Sequence, residues 1–160
     1  LEYRKLLLGS LVMDIIQLLQ KTFVFRDLPQ EELEKLSAVL HRRGFSVNDL
    51  FFEEGEPSKT IYIIEEGAVQ ITKKVKAENK VLNTLQSGDL FGEMAFIEQK
   101  PRSASARGSA DGIIWSMTAV DFANVLKSFH SAAVVKLMIK FLQVMSQRLR
   151  ETTDQVKSLV

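Results

Sequence analysis

The chain has 160 residues, of which 46% are hydrophobic and 26% are charged, and its formal net charge at pH 7 is +1. This length suits one domain with its own core, and the near-neutral charge gives no overall field that would attract nucleic acid or an anionic membrane. The absence of cysteine excludes disulfides, zinc–thiolate sites and cysteine nucleophiles, and predicts a cytoplasmic protein.

Residues 6–19, LLLGSLVMDIIQLL, form an apolar stretch that follows two basic residues, as in a secretory signal. The run is shorter than the roughly 20 apolar residues of a membrane span. It is also interrupted by Asp14 and Gln17, and no small-residue cleavage site follows. We therefore expect an amphipathic helix within residues 1–26 that packs on the domain or on a second copy. Met13 is an alternative internal start.

The segment RDLPQEELEKLSAVL places Pro29 before acidic residues and apolar residues at helical spacing, which predicts a short amphipathic helix. From Arg43 to Ser116 the pattern changes to short runs rich in Val, Ile, Phe, Tyr and Thr, separated by glycines. Such runs predict a compact all-β unit, a sandwich or a barrel.

In AVQITKKV, Val69 and Ile71 alternate with polar residues, so one face of that strand is expected to line the interior. KAENK is expected to connect a hairpin.

Two helices are predicted after the strands. Thr118 with Asp121 three residues later resembles a capping box at a helix start, and no Pro or Gly interrupts residues 131–160. The last helix carries a seam with spacings of four and three, as in a two-chain coiled coil. The seam consists of Met138, Leu142, Met145, Leu149, Thr152, Val156 and Leu159. A helix that lies on its own domain is the alternative, although such helices usually show a wider apolar stripe.

The stretch FGEMAFIEQKPRSAS combines groups that suit a small ligand with an anion and a hydroxyl. Gly92 allows a ligand to approach the backbone closely, and the turn that follows presents free N–H groups to an anion. Arg102 can hold two phosphate oxygens, and Ser103 and the Ala104 N–H add donors. Glu93 can only accept hydrogen bonds, so it suits a sugar hydroxyl. From the residues alone, a structural salt bridge between Glu93 and Arg102 is the alternative.

This stretch resembles the phosphate-binding cassette of the cyclic nucleotide-binding domain family, whose pattern is Phe-Gly-Glu-Leu-Ala, a short spacer and Pro-Arg-x-Ala-Thr or Ser. The matching residues are Phe91, Gly92, Glu93, Ala95, Pro101, Arg102, Ala104 and Ser105, with Met94 at the usual leucine. FRDLPQEELEKL and GEPSKTIYIIEEGAVQI are similar to the family's first helix and early strands. The resemblance implies a mainly β fold, an eight-stranded, jelly-roll-like β-roll flanked by helices.

The resemblance also implies roles for single residues. Glu93 is expected to accept the ribose 2′-hydroxyl, and Arg102 to neutralise the cyclic phosphate with help from Ser103 and the backbone of the first cassette turn. Ile71 and Leu82 match positions that wall the pocket. The expected ligand-binding residues are Ile71, Leu82, Gly92, Glu93, Met94, Ala95, Arg102, Ser103, Ala104, Arg148, Thr152 and Thr153, with no catalytic or metal-binding residue.

QRLRETTDQV in the last helix is similar to the adenine-reading helix of bacterial catabolite activator proteins in this family. The similarity implies that Thr152 and Thr153 contact the adenine edge, one from each chain, and that Arg148 approaches Glu93. A contact with adenine would give Thr152, the polar residue of the seam, a hydrogen-bond partner. The alternative is that Thr152 has no role and is simply tolerated on an exposed turn. A helix-turn-helix module follows this helix in those proteins, whereas this chain ends at Val160. We expect either that the module was removed or that the protein senses without touching DNA.

These features predict a cyclic nucleotide sensor that prefers cyclic AMP over cyclic GMP, forms a homodimer through its last helix and is not an enzyme. Its expected parts are an N-terminal helix at 1–26, a β-roll with flanking helices at 27–130 and a dimerisation helix at 131–160. No cofactor, nucleic acid contact within the chain or membrane span is expected. A β-roll that binds no nucleotide and only dimerises or docks is the alternative. A cupin-type enzyme would need clustered histidines, whereas His41 and His130 lie far apart in sequence.

Overall fold

The computed structural model describes residues 14–158, in which a β-roll is packed against helices. Helix α1 covers residues 14–21. The later helices are α2 (Gln30–Ser37), α3 (Glu93–Glu98), α4 (Ala119–Lys127) and α5 (Ser131–Lys157). The strands are β1 (His41–Phe45), β2 (Leu50–Phe52), β3 (Thr60–Val75), β4 (Glu78–Leu85), β5 (Leu90–Phe91) and β6 (Ser105–Thr118). Most of the apolar N-terminal stretch, Met13 and the seam residue Leu159 lie outside the described residues.

The strands of residues 14–158 form one antiparallel sheet around two long central strands, β3 and β6. β6 pairs with β1, β2 and β3, and β3 also pairs with β4 and β5. The expected number of eight strands is wrong for the described residues, which form six. The reason is that β3 and β6 run through 16 and 14 residues and each changes neighbours along its length. The runs TIYIIEE and AVQITKKV, for example, belong to one continuous strand.

Irregular pairing in the middle of β3 bends the sheet. Its register against β6 shifts three times between Ile64 and Val69, and such bulges increase the bending and twist of a strand. Gly67 lies at this bend with φ +91°, and a Cβ there would lie only 2.5 Å from the carbonyl oxygen of Asp111. Only glycine fits this position, and the bend lets the two halves of β3 pair with different neighbours.

β3 is buried on both faces because two hydrophobic cores use it. Tyr62 and Ile64 belong to the core inside the roll, whereas Ile61 and Ile63 pack against the helices, as the two-residue period of a strand requires. The core of the roll contains Phe45, Phe51, Phe52, Tyr62, Ile64, Val69, Leu85, Phe91, Ala106 and Ile114, with Ile71 packed against it. The predicted inward face of AVQITKKV is therefore confirmed.

Polar contacts around a buried carboxylate join the helices before and after the roll. Glu32 of α2 is fully buried, and its Oε1 accepts a hydrogen bond of 2.9 Å from the backbone N of His130. Lys35 Nζ donates to the carbonyl of Ser128 at 3.0 Å. The same ammonium lies 2.9 Å from Glu31 Oε1 and 3.6 Å from Glu32 Oε2. These contacts tie α2 to the turn between α4 and α5.

Helix α5 buries only one of its faces against its own domain, through Ala133, Leu137 and Phe141. The predicted coiled-coil seam lies on another face. Its exposed members include Met138, Leu142, Leu149 and Val156. Within residues 14–158, no helix has both the length and the apolar character needed to cross a membrane.

The start of α4 offers a first test of the local structure. Thr118 Oγ1 accepts a hydrogen bond of 3.0 Å from the backbone N of Asp121, which confirms the predicted cap. We expect Thr118→Ala to lower the free energy of unfolding by about 1 kcal/mol, because this N–H loses its acceptor. Thr118→Ser should keep most of that stability. Urea denaturation followed by Trp115 fluorescence measures both variants, and an alanine variant as stable as the wild type would contradict the role of the cap.

Candidate functional site

A cavity of about 550 Å³ opens between the roll and the C-terminal half of α5. Eleven of the residues predicted to bind a ligand line it: Ile71, Leu82, Gly92, Glu93, Met94, Ala95, Arg102, Ser103, Ala104, Arg148 and Thr152. The twelfth, Thr153, lies outside the cavity on an exposed part of α5, where its Oγ1 donates to the carbonyl of Leu149 at 2.9 Å. The fold thus brings the two ends of the cassette and the last helix to one site.

Arg102 is the buried cation of this site and is only 4% exposed. Its Nη1 and Nη2 donate to the carbonyls of Gly92 and Thr60, each at 2.7 Å, and the guanidinium lies 3.9 Å from the centroid of the Phe52 ring. Burial lowers the pKa of Arg102, but an arginine stays charged at neutral pH. Its Nε has no hydrogen-bond partner among the described residues. A buried N–H without an acceptor is costly, so this atom can be satisfied by a ligand.

The loop between β2 and β3 fixes the backbone around Arg102. Arg102 N donates to the carbonyl of Glu56 at 2.9 Å, and its own carbonyl accepts a hydrogen bond from Gly55 N at 2.8 Å. Ser105 Oγ accepts a hydrogen bond of 2.9 Å from Glu54 N. The end of the cassette is therefore hydrogen-bonded to this loop along its backbone, much as neighbouring strands are. These bonds position the Arg102 guanidinium before any ligand is present.

Glu93 is the buried anion of the site, with 1% of its surface exposed, and it forms an ion pair with Arg148 of α5. The expected approach of Arg148 to Glu93 is thus observed. Glu93 and Arg102 do not form a salt bridge with each other within residues 14–158. The two charges have different partners, because backbone carbonyls hold the guanidinium and a separate helix supplies a cation to the carboxylate.

Gly92 permits the close packing between the cassette and Arg102. It precedes α3 with φ +83°, in the left-handed region that favours glycine. A Cβ at this position would lie 2.6 Å from the carbonyl oxygen of Thr60 and 2.9 Å from Arg102 Nη1. Both the backbone conformation and the available space therefore require glycine here.

Several residues of the cavity were not predicted from the sequence. They are Phe52, Lys73, Asn83, Glu98, Glu151 and Gln155, together with further wall residues. Lys73 Nζ donates to the carbonyl of Ser103 at 2.9 Å and lies 3.2 Å from Glu54 Oε1, a contact for which the sequence carries no local signal. Gln155 was within reach of sequence reasoning, because it follows Thr152 by three residues and therefore shares a helix face with it.

A second cavity, of about 450 Å³, shares five lining residues with the first, namely Asn83, Leu85, Glu93, Arg148 and Glu151. It lies between the middle of α5, the segment after α1 and the turn between β4 and β5. The ion pair therefore borders open space on both sides, and the middle of α5 is not closely packed on the roll.

Comparison with known proteins identifies the family. Residues 42–129 match the family model of the cyclic nucleotide-binding domain, which covers more than half of the chain. The chain therefore belongs to the cyclic nucleotide-binding domain family, as the cassette predicted.

Individual relatives are similar over most of this chain. An uncharacterised NTE family protein of Mycobacterium tuberculosis is 31% identical over 129 residues, which are 81% of this chain and 21% of that protein. The type II regulatory subunit of cAMP-dependent protein kinase from Drosophila melanogaster is 26% identical over 112 residues, 70% of this chain and 29% of that protein. The chain thus spans less than a third of the length of these curated relatives.

The fold is also similar to that of a bacterial regulator. The catabolite activator protein of Thermus thermophilus matches with a TM-score of 0.74 at 22% identity, over 86% of this chain and 63% of that chain. At this identity the likeness concerns the fold, a mainly β roll with flanking helices.

Gly92→Ala tests the close packing beside Arg102, and Gly55→Ala is a matched control. Both glycines have positive φ, 83° and 85°, but a Cβ at Gly55 would meet no atom within 4 Å. Each variant carries a backbone cost of about 1 kcal/mol, and only Gly92→Ala adds a steric clash. We expect the loss of unfolding free energy in Gly92→Ala to exceed the loss in Gly55→Ala by about 1 kcal/mol or more. Equal losses in urea denaturation would show that the space beside Gly92 is not tight.

Proposed function

We propose that this chain is the sensor part of a signalling protein, which binds a cyclic nucleotide, with cyclic AMP preferred over cyclic GMP. The observation that carries the proposal is the unpartnered Nε of the buried Arg102 beside a cavity that also holds the Glu93 carboxylate. A cyclic nucleotide supplies both complementary groups, an anionic phosphate for the guanidinium and a ribose hydroxyl for the carboxylate. The cavity volume of about 550 Å³ suits small-molecule sites, which span roughly 300–1,000 Å³.

In this proposal the phosphate binds at Arg102. The carbonyls of Gly92 and Thr60 orient the guanidinium before the ligand arrives, so binding orders few additional groups. A charge-assisted hydrogen bond from Nε contributes about 1.5–3 kcal/mol. Ser103 and Ala104 line the same wall and supply further donors.

The sugar and the base extend from Glu93 towards α5. Glu93 accepts the 2′-hydroxyl, Ile71 and Leu82 wall the base, and Thr152 contacts its edge. Thr153, which lies outside this cavity, belongs to the site of the second copy in a dimer. Cyclic AMP is the first ligand to test, because the Drosophila relative is a subunit of a cAMP-dependent kinase.

Binding is linked to α5 through the Glu93–Arg148 pair. A ribose hydroxyl that donates to Glu93 competes with Arg148 for the same carboxylate, and the second cavity leaves room for α5 to move. The ligand shifts α5 only by the difference between its affinities for the two arrangements. The proposed role is regulatory rather than catalytic and needs no cofactor or metal. A cytoplasmic location and the lack of nucleic acid contact stay predictions.

We propose further that α5 forms a parallel pair with a second copy. Apart from Thr152, its seam is apolar, and it repeats with coiled-coil spacing; Leu142 and Leu149 are 68% and 69% exposed. When this seam packs against the same seam of a second copy, apolar surface is removed from water, and each seam side chain inserts between side chains of the facing helix.

Calorimetric titration of Arg102→Ala with cyclic AMP and cyclic GMP tests the binding proposal. We expect the affinity for cyclic AMP to fall at least about tenfold, because the phosphate loses its charged partner. Arg107→Ala is the matched control, since Arg107 contacts the carbonyl of Asn48 on an exposed part of β6. Thermal melts of each variant without ligand check that its fold is intact. An unchanged affinity in Arg102→Ala would remove the assigned role.

Thermal melts of the wild type with and without cyclic nucleotide separate the sensor from a module that only dimerises or docks. Cyclic AMP at 100 times its dissociation constant should stabilise the wild type by about 2.7 kcal/mol. A wild-type melt that no cyclic nucleotide shifts would favour the interaction module.

Sedimentation velocity tests the dimer. The double variant Leu142→Glu/Leu149→Glu places charges on the seam, so we expect it to be monomeric where the wild type is a dimer. Val120→Glu is the control, because Val120 is a comparably exposed apolar residue, at 68%, on α4 instead of α5. A monomeric wild type would refute pairing through the seam.

A further inference from the structure

Two glutamates and a histidine meet where α2 lies against the turn between α4 and α5. Glu31, Glu32 and His130 each place one potential ligand atom, a carboxylate oxygen or an imidazole nitrogen, within 4.8 Å of the other two. His130 follows Glu32 by 98 residues in the chain, so the fold is what brings these side chains together. We infer that this Glu-Glu-His cluster binds a Zn²⁺ ion, which links α2 to the start of α5.

The buried member of the cluster is the residue that points to a cation. Glu32 is fully buried, and its Oε1 accepts the hydrogen bond from the backbone N of His130. Its Oε2 has no hydrogen-bond partner among residues 14–158. A buried carboxylate oxygen without a partner is costly, and a metal ion would satisfy it. Because Oε1 is already held, Glu32 is oriented before the ion arrives.

The free oxygen of Glu32 faces the other charges of the cluster. Glu32 Oε2 lies 3.6 Å from Lys35 Nζ, and the same ammonium lies 2.9 Å from Glu31 Oε1. The two carboxylates thus share one cation, which is too far from Oε2 for a hydrogen bond. Lys35 also donates to the carbonyl of Ser128 at 3.0 Å, and 28% of its side chain is exposed. It can therefore turn into solvent and leave both carboxylates to a metal ion, with which it competes.

The mixture of donor atoms in the cluster favours zinc. Mg²⁺ and Ca²⁺ prefer oxygen ligands, whereas Zn²⁺ readily combines imidazole nitrogen with carboxylate oxygen. In a tetrahedral site with bonds of about 2.0–2.1 Å, neighbouring ligand atoms are about 3.3 Å apart. His130 Nε2 lies 3.6 Å from Glu31 Oε2, close to that separation. Both of these side chains are exposed, so they can adjust to the fixed Glu32, and water can complete the coordination.

Calorimetric titration of the chain with zinc chloride in a non-chelating buffer tests this inference. We expect one Zn²⁺ ion per chain, bound at least about tenfold more weakly by His130→Gln and by Glu31→Gln, because each variant loses one ligand. Both substitutions keep the backbone N–H that donates to Glu32. Lys35→Met removes the competing ammonium, so this variant should bind Zn²⁺ at least about threefold more tightly.

His41→Gln is the matched control, because His41 is exposed on β1 and lies outside the cluster. Its affinity for Zn²⁺ should equal that of the wild type. Thermal melts add a second readout: Zn²⁺ should raise the melting temperature of the wild type but not that of His130→Gln. Melts without metal check the fold of each variant.

Three results would overturn the zinc site. They are a wild type that binds no Zn²⁺, an affinity that His130→Gln lowers no more than His41→Gln does, and a Lys35→Met variant that binds no more tightly than the wild type. None of these measurements uses a nucleotide, so their outcome leaves the proposed function unaffected.

Discussion

A buried guanidinium that backbone carbonyls hold is the interaction on which the site depends. A charge inside a protein is costly unless it is paired and hydrogen-bonded. Arg102 is satisfied by the carbonyls of Gly92 and Thr60 and by the face of Phe52, whereas no carboxylate of the described residues forms a salt bridge with it. Because no carboxylate of the described residues pairs with it, this guanidinium keeps a positive charge beside the cavity, and its Nε–H has no acceptor among them.

The second charge of the cavity is shared between the roll and a helix. Glu93 begins α3 inside the cassette, but its cation comes from α5, more than fifty residues later in the chain. If residues of the roll alone donated hydrogen bonds to this carboxylate, it could bind a hydroxyl without any change in a helix outside the roll. Because Arg148 completes the pair, whatever occupies Glu93 also changes a contact that holds α5. In the proposed function, ligand recognition and the response of α5 therefore meet at one side chain.

Sequence reasoning succeeded where the determining groups are neighbours in the chain. Pro29 before α2, the Thr118 cap and the cassette glycine all act within a few residues, and the family resemblance located the cassette. The strand count failed because the continuity of β3 depends on its shifting register against the distant β6. Similarly, Glu151 was not predicted to line the cavity, because the rotation of α5 depends on which of its residues pack on the helix-side core.

The buried carboxylate of Glu32 has a mechanical consequence for α5. Its bond to the backbone N of His130 anchors the helix at its first turn, whereas the residues near Lys157 are exposed. Helix α5 has 27 residues and is therefore about 40 Å long. It is anchored at its N-terminal end, and its C-terminal end is exposed. A tilt of a few degrees about His130 barely changes the hydrophobic contacts near the anchor, but it displaces the C-terminal end of the helix by several ångströms. A second molecule bound at that end would therefore be affected most strongly.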